Sequence, residues 1–287
     1  DEAPLGGEFP LDLDLVERIE FVPGPGSSAY GSNAFFGVIN VITKTAGDPT
    51  ASRAAVDAGS FGARKASISA SWRSAAGTGF LLSAGRYLNR GDNLYFPEFD
   101  TPEQNNGIAE GLDYERGLRV FASAAHGQFS VTAMHAHRTK GIPTASFMQP
   151  FNDPRSRAID RQHYVAVAYR GAAGQDEELS ARLMHGSYDS LGDYSIDDGL
   201  RTLGHEGSQA RWLGAEMTLV STRFKGHKIV AGADMQRDYR LEQYLFSNNP
   251  DYPRFTHKIS DRRTGIYVQD EIAALDGSAE AAIVFGS

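Results

Sequence analysis

The chain has 287 residues, a formal net charge of −8 and no cysteine. Nucleic-acid binding requires clustered Lys and Arg, so the acidic balance argues against it, and without cysteine neither a disulfide framework nor a thiolate metal site can form. No apolar run approaches the ~18 residues of a membrane helix, and residues 1–4 lack the basic start and apolar core of a signal peptide. A membrane β-barrel exposes only alternate residues to lipid, however, so modest hydropathy does not exclude a membrane protein.

Residues 1–45 differ from the rest of the chain in their pattern of apolar and polar residues. A strand-like run, 16–22, precedes the turn residues Pro-Gly-Pro-Gly at 23–26, and a second run, 37–43, is apolar on both faces except for Asn40. A short run that is apolar on both faces predicts a strand buried on both sides. Asn40 then needs hydrogen-bond partners, because an unpaired buried amide costs about 1–3 kcal/mol.

From about residue 51, apolar and polar residues alternate with period two. Three stretches, 65–72, 212–220 and 228–238, each place apolar side chains on one face and polar side chains on the other. This alternation predicts strands with two chemically different faces. The side chains that we expect to point to lipid are Ala66, Ile68, Ala70, Leu213, Ala215, Met217, Ile229, Ala231 and Ala233. Those that we expect to point to the lumen are Lys65, Ser69, Glu216, Asp234 and Gln236.

About eleven such segments cover residues 51–287, and they predict a continuous antiparallel meander. The segments lie near 52–60, 64–73, 78–89, 115–125, 128–140, 162–171, 177–188, 210–223, 227–245, 263–274 and 278–286. Short and long connections alternate between them, except that the first connection, 61–63, is short where a long one is due. The long connections are 90–114, 141–161, 189–209 and 246–262. Tight turns at one end and long loops at the other are typical of bacterial outer-membrane barrels.

Residues 16–44 read VERIEFVPGPGSSAYGSNAFFGVINVITK. This stretch resembles the C-terminal plug motif of TonB-dependent outer-membrane receptors, in which a strand leads through a Gly-Pro turn and a Ser-rich turn ending in Tyr-Gly towards the barrel. The matching residues are Glu17, Arg18, Ile19, Glu20, Gly24, Pro25, Ser28, Tyr30, Gly31, Ala34 and the run from Gly37 through Asn40 to Thr43. Pro23 departs from the family pattern, where Arg is common, so Arg18 is the arginine available for plug–barrel pairing.

The resemblance implies an all-β fold. It would be a transmembrane antiparallel β-barrel, present here as about 11 of 22 strands, with part of an N-terminal plug domain. Residues 1–46 would be the C-terminal part of the plug domain, and residues 47–287 the N-terminal half of the barrel. We expect the first part of the plug and the segment that contacts TonB to lie outside this sequence.

The function that the resemblance implies is energy-coupled uptake of a bulky nutrient, such as an iron–siderophore complex, haem or cobalamin, across the outer membrane of a Gram-negative cell. The implied partners are TonB of the inner-membrane energy-transducing complex, a small-molecule ligand such as a metal chelate, and outer-membrane lipid. We expect Arg18 to form a buried ion pair with a lumen-facing carboxylate, with Glu216 and Glu271 as first candidates. The candidate ligand contacts are aromatic residues of the predicted long loops: Tyr95, Phe96, Phe147, Tyr194 and Tyr252.

Other functions explain less of the sequence. A passive or adhesive outer-membrane barrel would account for the alternation and the loop lengths but not for residues 16–44. A hydrolase is disfavoured because no nucleophile elbow is recognisable, and a soluble sandwich has no reason to place its long loops at one end. His135, His137 and His163 could approach one another, but solvated histidines are commoner than a metal site. We therefore expect no enzymatic activity, resident metal or cofactor.

Overall fold

The computed structural model describes residues 9–23, 37–146, 149–199, 202–249, 254–274 and 277–286, and from residue 273 onward it describes the backbone alone. Within these residues the chain forms fifteen strands and several short 3-10 helices. The strands are β1 (Val16–Pro23), β2 (Gly37–Thr43), β3 (Arg53–Ala58), β4 (Arg64–Arg73), β5 (Gly79–Asn89), β6 (Leu94–Tyr95), β7 (Ile108–Ala109), β8 (Glu115–His126), β9 (Phe129–Gly141), β10 (Arg157–Ala172), β11 (Glu177–Ser195), β12 (Leu203–Ser221), β13 (His227–Ser247), β14 (Phe255–Ala274) and β15 (Gly277–Gly286). The 3-10 helices are Leu13–Leu15, Pro49–Ala51, Ser60–Gly62, Pro97–Phe99 and Pro102–Gly107. None of the helices in this described part of the chain is long and apolar enough to cross a bilayer.

Eleven of the described strands form one antiparallel sheet in the order β3-β4-β5-β8-β9-β10-β11-β12-β13-β14-β15. Each strand of this sheet pairs with the one that follows it, and β6 and β7 form a separate small hairpin in the connection between β5 and β8. β1 and β2 also pair only with each other among the described strands. The predicted all-β fold and the predicted meander of about eleven strands are confirmed.

Several strands extend further than the sequence pattern predicted, on the side of the long connections. The connection predicted at 141–161 shrinks to 142–156, and the one predicted at 189–209 shrinks to 196–202. The added residues are mostly polar on both faces of the sheet. Backbone hydrogen bonding between strands therefore continues beyond the point where the alternation of apolar and polar residues stops.

The eleven-strand sheet has two distinct faces. Residues 9–15, which precede β1, contact one of them, and we call this the inner face; Lys65 and Ser67 of β4 reach Asp14 from it. The opposite face is the outer face. Directly paired residues of an antiparallel sheet lie on the same face, so the strand register extends this assignment from β4 to β14.

The outer face carries exposed apolar side chains. Ile68, Leu213 and Met217 are 60%, 51% and 53% exposed. One row of register partners on this face runs through Ala70, Leu82, Ala122, Ala133, Val165, His185 and Leu213. The nine side chains predicted to point to lipid all lie on the outer face, and the five predicted to point to the lumen all lie on the inner face.

The largest apolar cluster of the described residues is small and lies on the inner face. It consists of Leu15, Ala46, Ala51, Leu81 and Phe121. Leu15 comes from the segment before β1, whereas Leu81 and Phe121 belong to the neighbouring strands β5 and β8. This cluster therefore fastens the N-terminal segment to the wall of the sheet.

Candidate functional site

Residues 11–15, Leu-Asp-Leu-Asp-Leu, lie against the inner face of the sheet. The Asp12 carboxylate accepts a hydrogen bond of 3.0 Å from the backbone N–H of Asp14 and so caps the 3-10 helix Leu13–Leu15. Leu15 is only 2% exposed and packs in the apolar cluster. Both carboxylates and Leu15 therefore contact the sheet, whereas Leu13 is 67% exposed.

Lys65 of β4 lies between the two carboxylates. Its Nζ is 2.7 Å from Oδ1 of Asp12 and 3.1 Å from Oδ2 of Asp14, and Arg53 of β3 lies 3.0 Å from the other oxygen of Asp14. Burial acts to raise the pKa of Asp14, but the hydrogen bond from Lys65 and the charges of Lys65 and Arg53 outweigh it and hold the pKa below its ordinary range. We call Asp12, Asp14, Arg53 and Lys65 the inner-face ion-pair cluster.

Further polar contacts hold the same segment. Nε of Arg119 on β8 donates to the carbonyl of Phe9 at 2.9 Å, and the backbone N–H of Lys44 donates to the carbonyl of Leu15 at 2.9 Å. Gly85 of β5 lies next to Asp12: a Cβ at this position would be 2.7 Å from the carboxylate. The seat of residues 9–15 is therefore mostly polar, with Leu15 as its apolar anchor.

The structure gives Arg18 different partners from those predicted. Its guanidinium is 2.7 Å from Glu20 and 3.2 Å from Glu17, both on the same strand, and its side chain is 55% exposed. Hydrogen bonds from Arg18 and Asn40 lower the pKa of Glu20. Asn40 Nδ2 donates to Glu20 at 3.0 Å. The prediction that strand 37–43 is buried on both sides is wrong, because Ile39 is 66% exposed and its neighbours on the strand are half-buried.

The two glutamates predicted to face Arg18 are also paired elsewhere. Glu216 of β12 binds Arg182, its register partner on β11, at 2.6 Å. Glu271 of β14 lies 3.1 Å from Lys228, its register partner on β13. Charged side chains that face each other across paired strands satisfy one another, so in this structure neither glutamate pairs with Arg18.

The rest of the plug motif is described only in part. Gly37 opens β2 opposite Pro23 with a φ of +150°, and a Cβ there would lie 2.9 Å from the carbonyl oxygen of Val22. This close approach explains why glycine is needed at the position. Six other motif residues lie outside the described residues: Gly24, Pro25, Ser28, Tyr30, Gly31 and Ala34.

An aromatic cluster joins two of the long connections. Phe99 stacks on Phe151 with ring centroids 4.4 Å apart, and Phe96 contacts the edge of Phe151 at 5.8 Å. Tyr95 is 57% exposed, and its hydroxyl donates to Asp100 at 2.9 Å. Phe96 was predicted as a ligand contact, whereas Phe99 and Phe151 were missed because only the folded connections bring them together.

The remaining aromatic candidates are spread over the chain. Tyr194 lies near the end of β11, where its ring covers Gly192 so closely that a Cβ would be 2.3 Å from it. Phe147 and Tyr252 lie outside the described residues. The structure therefore places Tyr95 and Phe96 in one connection and Tyr194 on a separate strand.

The histidines form a pair. His135 and His163 face each other across β9 and β10, with their Nδ1 atoms 3.2 Å apart, and His137 lies two residues along the same face. In the described ranges no group of three or more His, Asp or Glu is arranged to hold a metal ion.

Comparison with known proteins identifies the fold. No family model matches the chain. The vitamin B12 transporter BtuB of Vibrio vulnificus (strain CMCP6) is 30% identical over 123 residues, which are 43% of this chain and 19% of the transporter. The ferric-catecholate import receptor Fiu of E. coli K12 matches with a TM-score of 0.71 and 14% identity, over 96% of this chain and 50% of that one. The chain has the fold of the TonB-dependent outer-membrane receptors.

A second solved receptor supports the same fold. The siderophore receptor PiuA from Acinetobacter baumannii gives a TM-score of 0.60 at 11% identity, over 96% of this chain and 51% of that one. The chain thus spans about half the length of the TonB-dependent receptors that it matches in structure. Eleven strands are half of the 22 strands of a plugged outer-membrane transporter, which agrees with that share.

Proposed function

We propose that residues 1–46 are the C-terminal part of a plug domain and that residues 47–287 are the N-terminal half of the barrel of an uptake receptor. This receptor would move a bulky nutrient across the outer membrane with energy delivered by TonB, and it would have no enzymatic activity. The observation that carries the proposal is the seating of residues 9–15 on the inner face by the inner-face ion-pair cluster. A segment fastened across the inner wall would obstruct a freely open channel.

The contacts that hold residues 9–15 on the inner face are suited to a plug that must leave its position during transport. Half-exposed ion pairs contribute only about 0–1 kcal/mol each, and water can replace the partner when the segment leaves. The pair of Lys65 with the nearly buried Asp12 is stronger, and Leu15 adds an apolar anchor. The segment is therefore held firmly at rest, yet a pulling force can release it without exposing a large apolar surface.

The outer face supports placement in a lipid bilayer. Its apolar side chains recur on strand after strand and are exposed, although a soluble monomer rarely exposes an apolar patch above about 300–600 Å². Lipid would cover this surface, while the charged pairs of the inner face would line an aqueous lumen. We therefore place the protein in the outer membrane, as a barrel that crosses it many times.

The ligand class follows from the relatives and the aromatic cluster. The similar proteins are named for vitamin B12, ferric catecholates and siderophores. For this chain we propose a metal chelate of the same general kind: an iron–siderophore complex, haem or cobalamin. Flat ligand rings would contact Phe96, Phe99 and Phe151 and the exposed Tyr95, and Tyr194, Phe147 and Tyr252 remain candidate contacts.

Uptake measurements test this proposal. The full-length protein would be produced in a strain without its own receptors, in paired backgrounds with and without TonB. Labelled cyanocobalamin, haem and an iron-loaded catecholate siderophore would be supplied one at a time. We expect one of these probes to accumulate only in the background with TonB. Influx of small antibiotics that does not need TonB, with no accumulation of any chelate, would favour a passive barrel instead.

A further inference from the structure

Four arginines surround Leu88 on the outer face, at the end of the sheet that carries the long connections. They are Arg64, Arg86, Arg90 and Arg116, and all four are exposed. They line a cavity of about 560 Å³. The chain as a whole carries a net charge of −8, so this positive cluster is a local feature and not a sign of a basic protein.

The strand register explains why the four arginines meet. Arg64, Leu88 and Arg116 are direct partners in one row across β4, β5 and β8. Because neighbouring strands lie about 4.8 Å apart, Arg64 and Arg116 start about 10 Å from each other, and Arg86 is about 7 Å along β5 from Leu88. Lys65 points to the inner face, so Arg64, its neighbour in sequence, points outward.

None of these four arginines forms an ion pair with a carboxylate of the described residues. Elsewhere in the sheet, arginines do form ion pairs with carboxylates; for example, Arg138 lies 2.9 Å from Glu115. The carboxylate of Asp113, in the connection next to the cluster, forms an ion pair with Lys140. Four neighbouring guanidinium groups without a counter-charge repel one another, so an anion that binds among them would relieve this repulsion.

An apolar stripe continues directly from the arginines towards the short turns. Ile68, Leu82, Leu118 and Val120 are 39–60% exposed on the same outer face. Leu118 is the register partner of Arg86. This surface is cationic at the end with the long connections and apolar towards the short turns. The same arrangement of a charged part next to an apolar part occurs in a lipid with an anionic head group and acyl chains.

We propose that the four-arginine cluster binds the phosphate groups of a multiply phosphorylated glycolipid in the leaflet around the barrel, and that the acyl chains lie on the apolar stripe. This inference rests on the proposed placement in the outer membrane. Arginine suits the task because its planar guanidinium binds phosphate oxygens in a bidentate manner. A soluble phosphate would match the arginines equally well but would make no use of the stripe.

Binding in nanodiscs tests the inference. The full-length protein would be placed in phosphatidylcholine nanodiscs, and its affinity for diphosphoryl lipid A and for inorganic pyrophosphate would be measured. The double variant Arg86→Gln/Arg116→Gln should bind the lipid at least tenfold more weakly, and Arg86→Lys/Arg116→Lys should recover part of the loss. The matched control is Arg223→Gln/Lys225→Gln, which removes two exposed charges from the turn at the opposite end of the sheet and should bind like the unaltered protein.

The outcomes separate this inference from the proposed function. Unchanged lipid binding in Arg86→Gln/Arg116→Gln would overturn the site while leaving the uptake proposal intact. Pyrophosphate binding as tight as lipid binding would show a soluble-anion site and overturn the lipid assignment. Failure of the protein to insert into nanodiscs would overturn both proposals. An equal loss of lipid affinity in the control variant would show that binding depends only on the net charge of the protein. It would likewise contradict a specific site at the four arginines.

Discussion

At the scale of single residues, the attachment of the N-terminal segment depends most on Lys65. This side chain contacts both Asp12 and Asp14, and the Asp12 carboxylate is only 5% exposed. Removal of one partner from a buried pair leaves an uncompensated charge, which costs more than the net contribution of the pair. Arg53 is 55% exposed and pairs only at the rim, so solvent screens most of its contribution.

We expect Lys65→Met to loosen the segment. Residues 1–287 contain no cysteine, so in full-length protein with any cysteine outside these residues replaced by Ser, Leu15→Cys supplies a single thiol that is buried while the segment is seated. In that background Lys65→Met should speed maleimide labelling at least roughly tenfold, because the Asp12 carboxylate loses its ion pair, and loss of a partner by a buried polar group costs about 1–3 kcal/mol or more. Lys228→Met on β13, which breaks the exposed pair with Glu271 on β14, is the control and should leave the labelling rate unchanged. Equal labelling in both variants would show that the Lys65 pair does not hold the segment.

The attachment should also weaken in acid. The pKa of Asp14 lies below its ordinary range in the seated state. Its pairing therefore stabilises the seat above the ordinary carboxyl pKa, and this contribution is lost as the pH falls through the lowered pKa. Hydrogen exchange of the amides of residues 13–16, corrected for intrinsic rates, should be unchanged above about pH 5 and should accelerate as the pH falls from about 5 to about 3. Asp14→Asn should reduce that acceleration; an undiminished effect would assign it to another group.

The sequence motif did not predict which charged residues pair with the N-terminal segment. The motif located β1 and β2 correctly, because turn residues and apolar runs are local properties. It did not determine which way Arg18 points, and Glu20, two residues along the same strand, is its nearest acid. Asp12 and Asp14 were missed, although their alternation with leucines at 11–15 was a signal that a short amphipathic segment precedes β1.

At the scale of elements, the alternation in β12 identified its two faces correctly from sequence, because every second side chain meets a different environment. The ends of β10 to β14 were underestimated for the same physical reason. Beyond the apolar stretch both faces are polar, and only backbone hydrogen bonds show that the strands continue. Strand pairing at these ends depends on the neighbouring strands, which a single segment of sequence does not reveal.

Two arginine substitutions on β12 should differ sharply in effect. Met217 and Gln209 lie on the outer face of the same strand, but only Met217 lies within the apolar stretch. An Arg on the lipid face costs ~2–4 kcal/mol at mid-membrane and ~0–1 kcal/mol near the interfaces. Met217→Arg should therefore lower the folded fraction recovered in vesicles, read from gel mobility before and after heating, whereas Gln209→Arg should not. Equal recovery would mean that lipid does not cover the outer face at Met217.

At the scale of the whole molecule, the sheet of this chain has two open edges. Among the described strands, β3 pairs only with β4 and β15 only with β14. Each edge leaves a row of backbone N–H and C=O groups that can pair with another chain. In a bilayer such groups cost several kcal/mol each, which is why spanning sheets close into barrels. A closed barrel would therefore require further strands to pair with both edges. The count of eleven, half of the 22 strands of a plugged transporter, leads to the same conclusion.

The last prediction is that residues 1–287, produced by themselves, do not form a stable monomer in water. Both edges would recruit other copies, and the exposed apolar outer face would add a surface larger than the ~300–600 Å² patch that soluble monomers carry. We expect insoluble material in buffer and refolding only in detergent micelles, which supply apolar cover for the face but no partner for the edges. Size-exclusion chromatography with light scattering should therefore show mixed oligomers even in detergent. A monodisperse monomer without detergent would contradict both the need for further strands and the placement of the outer face in lipid.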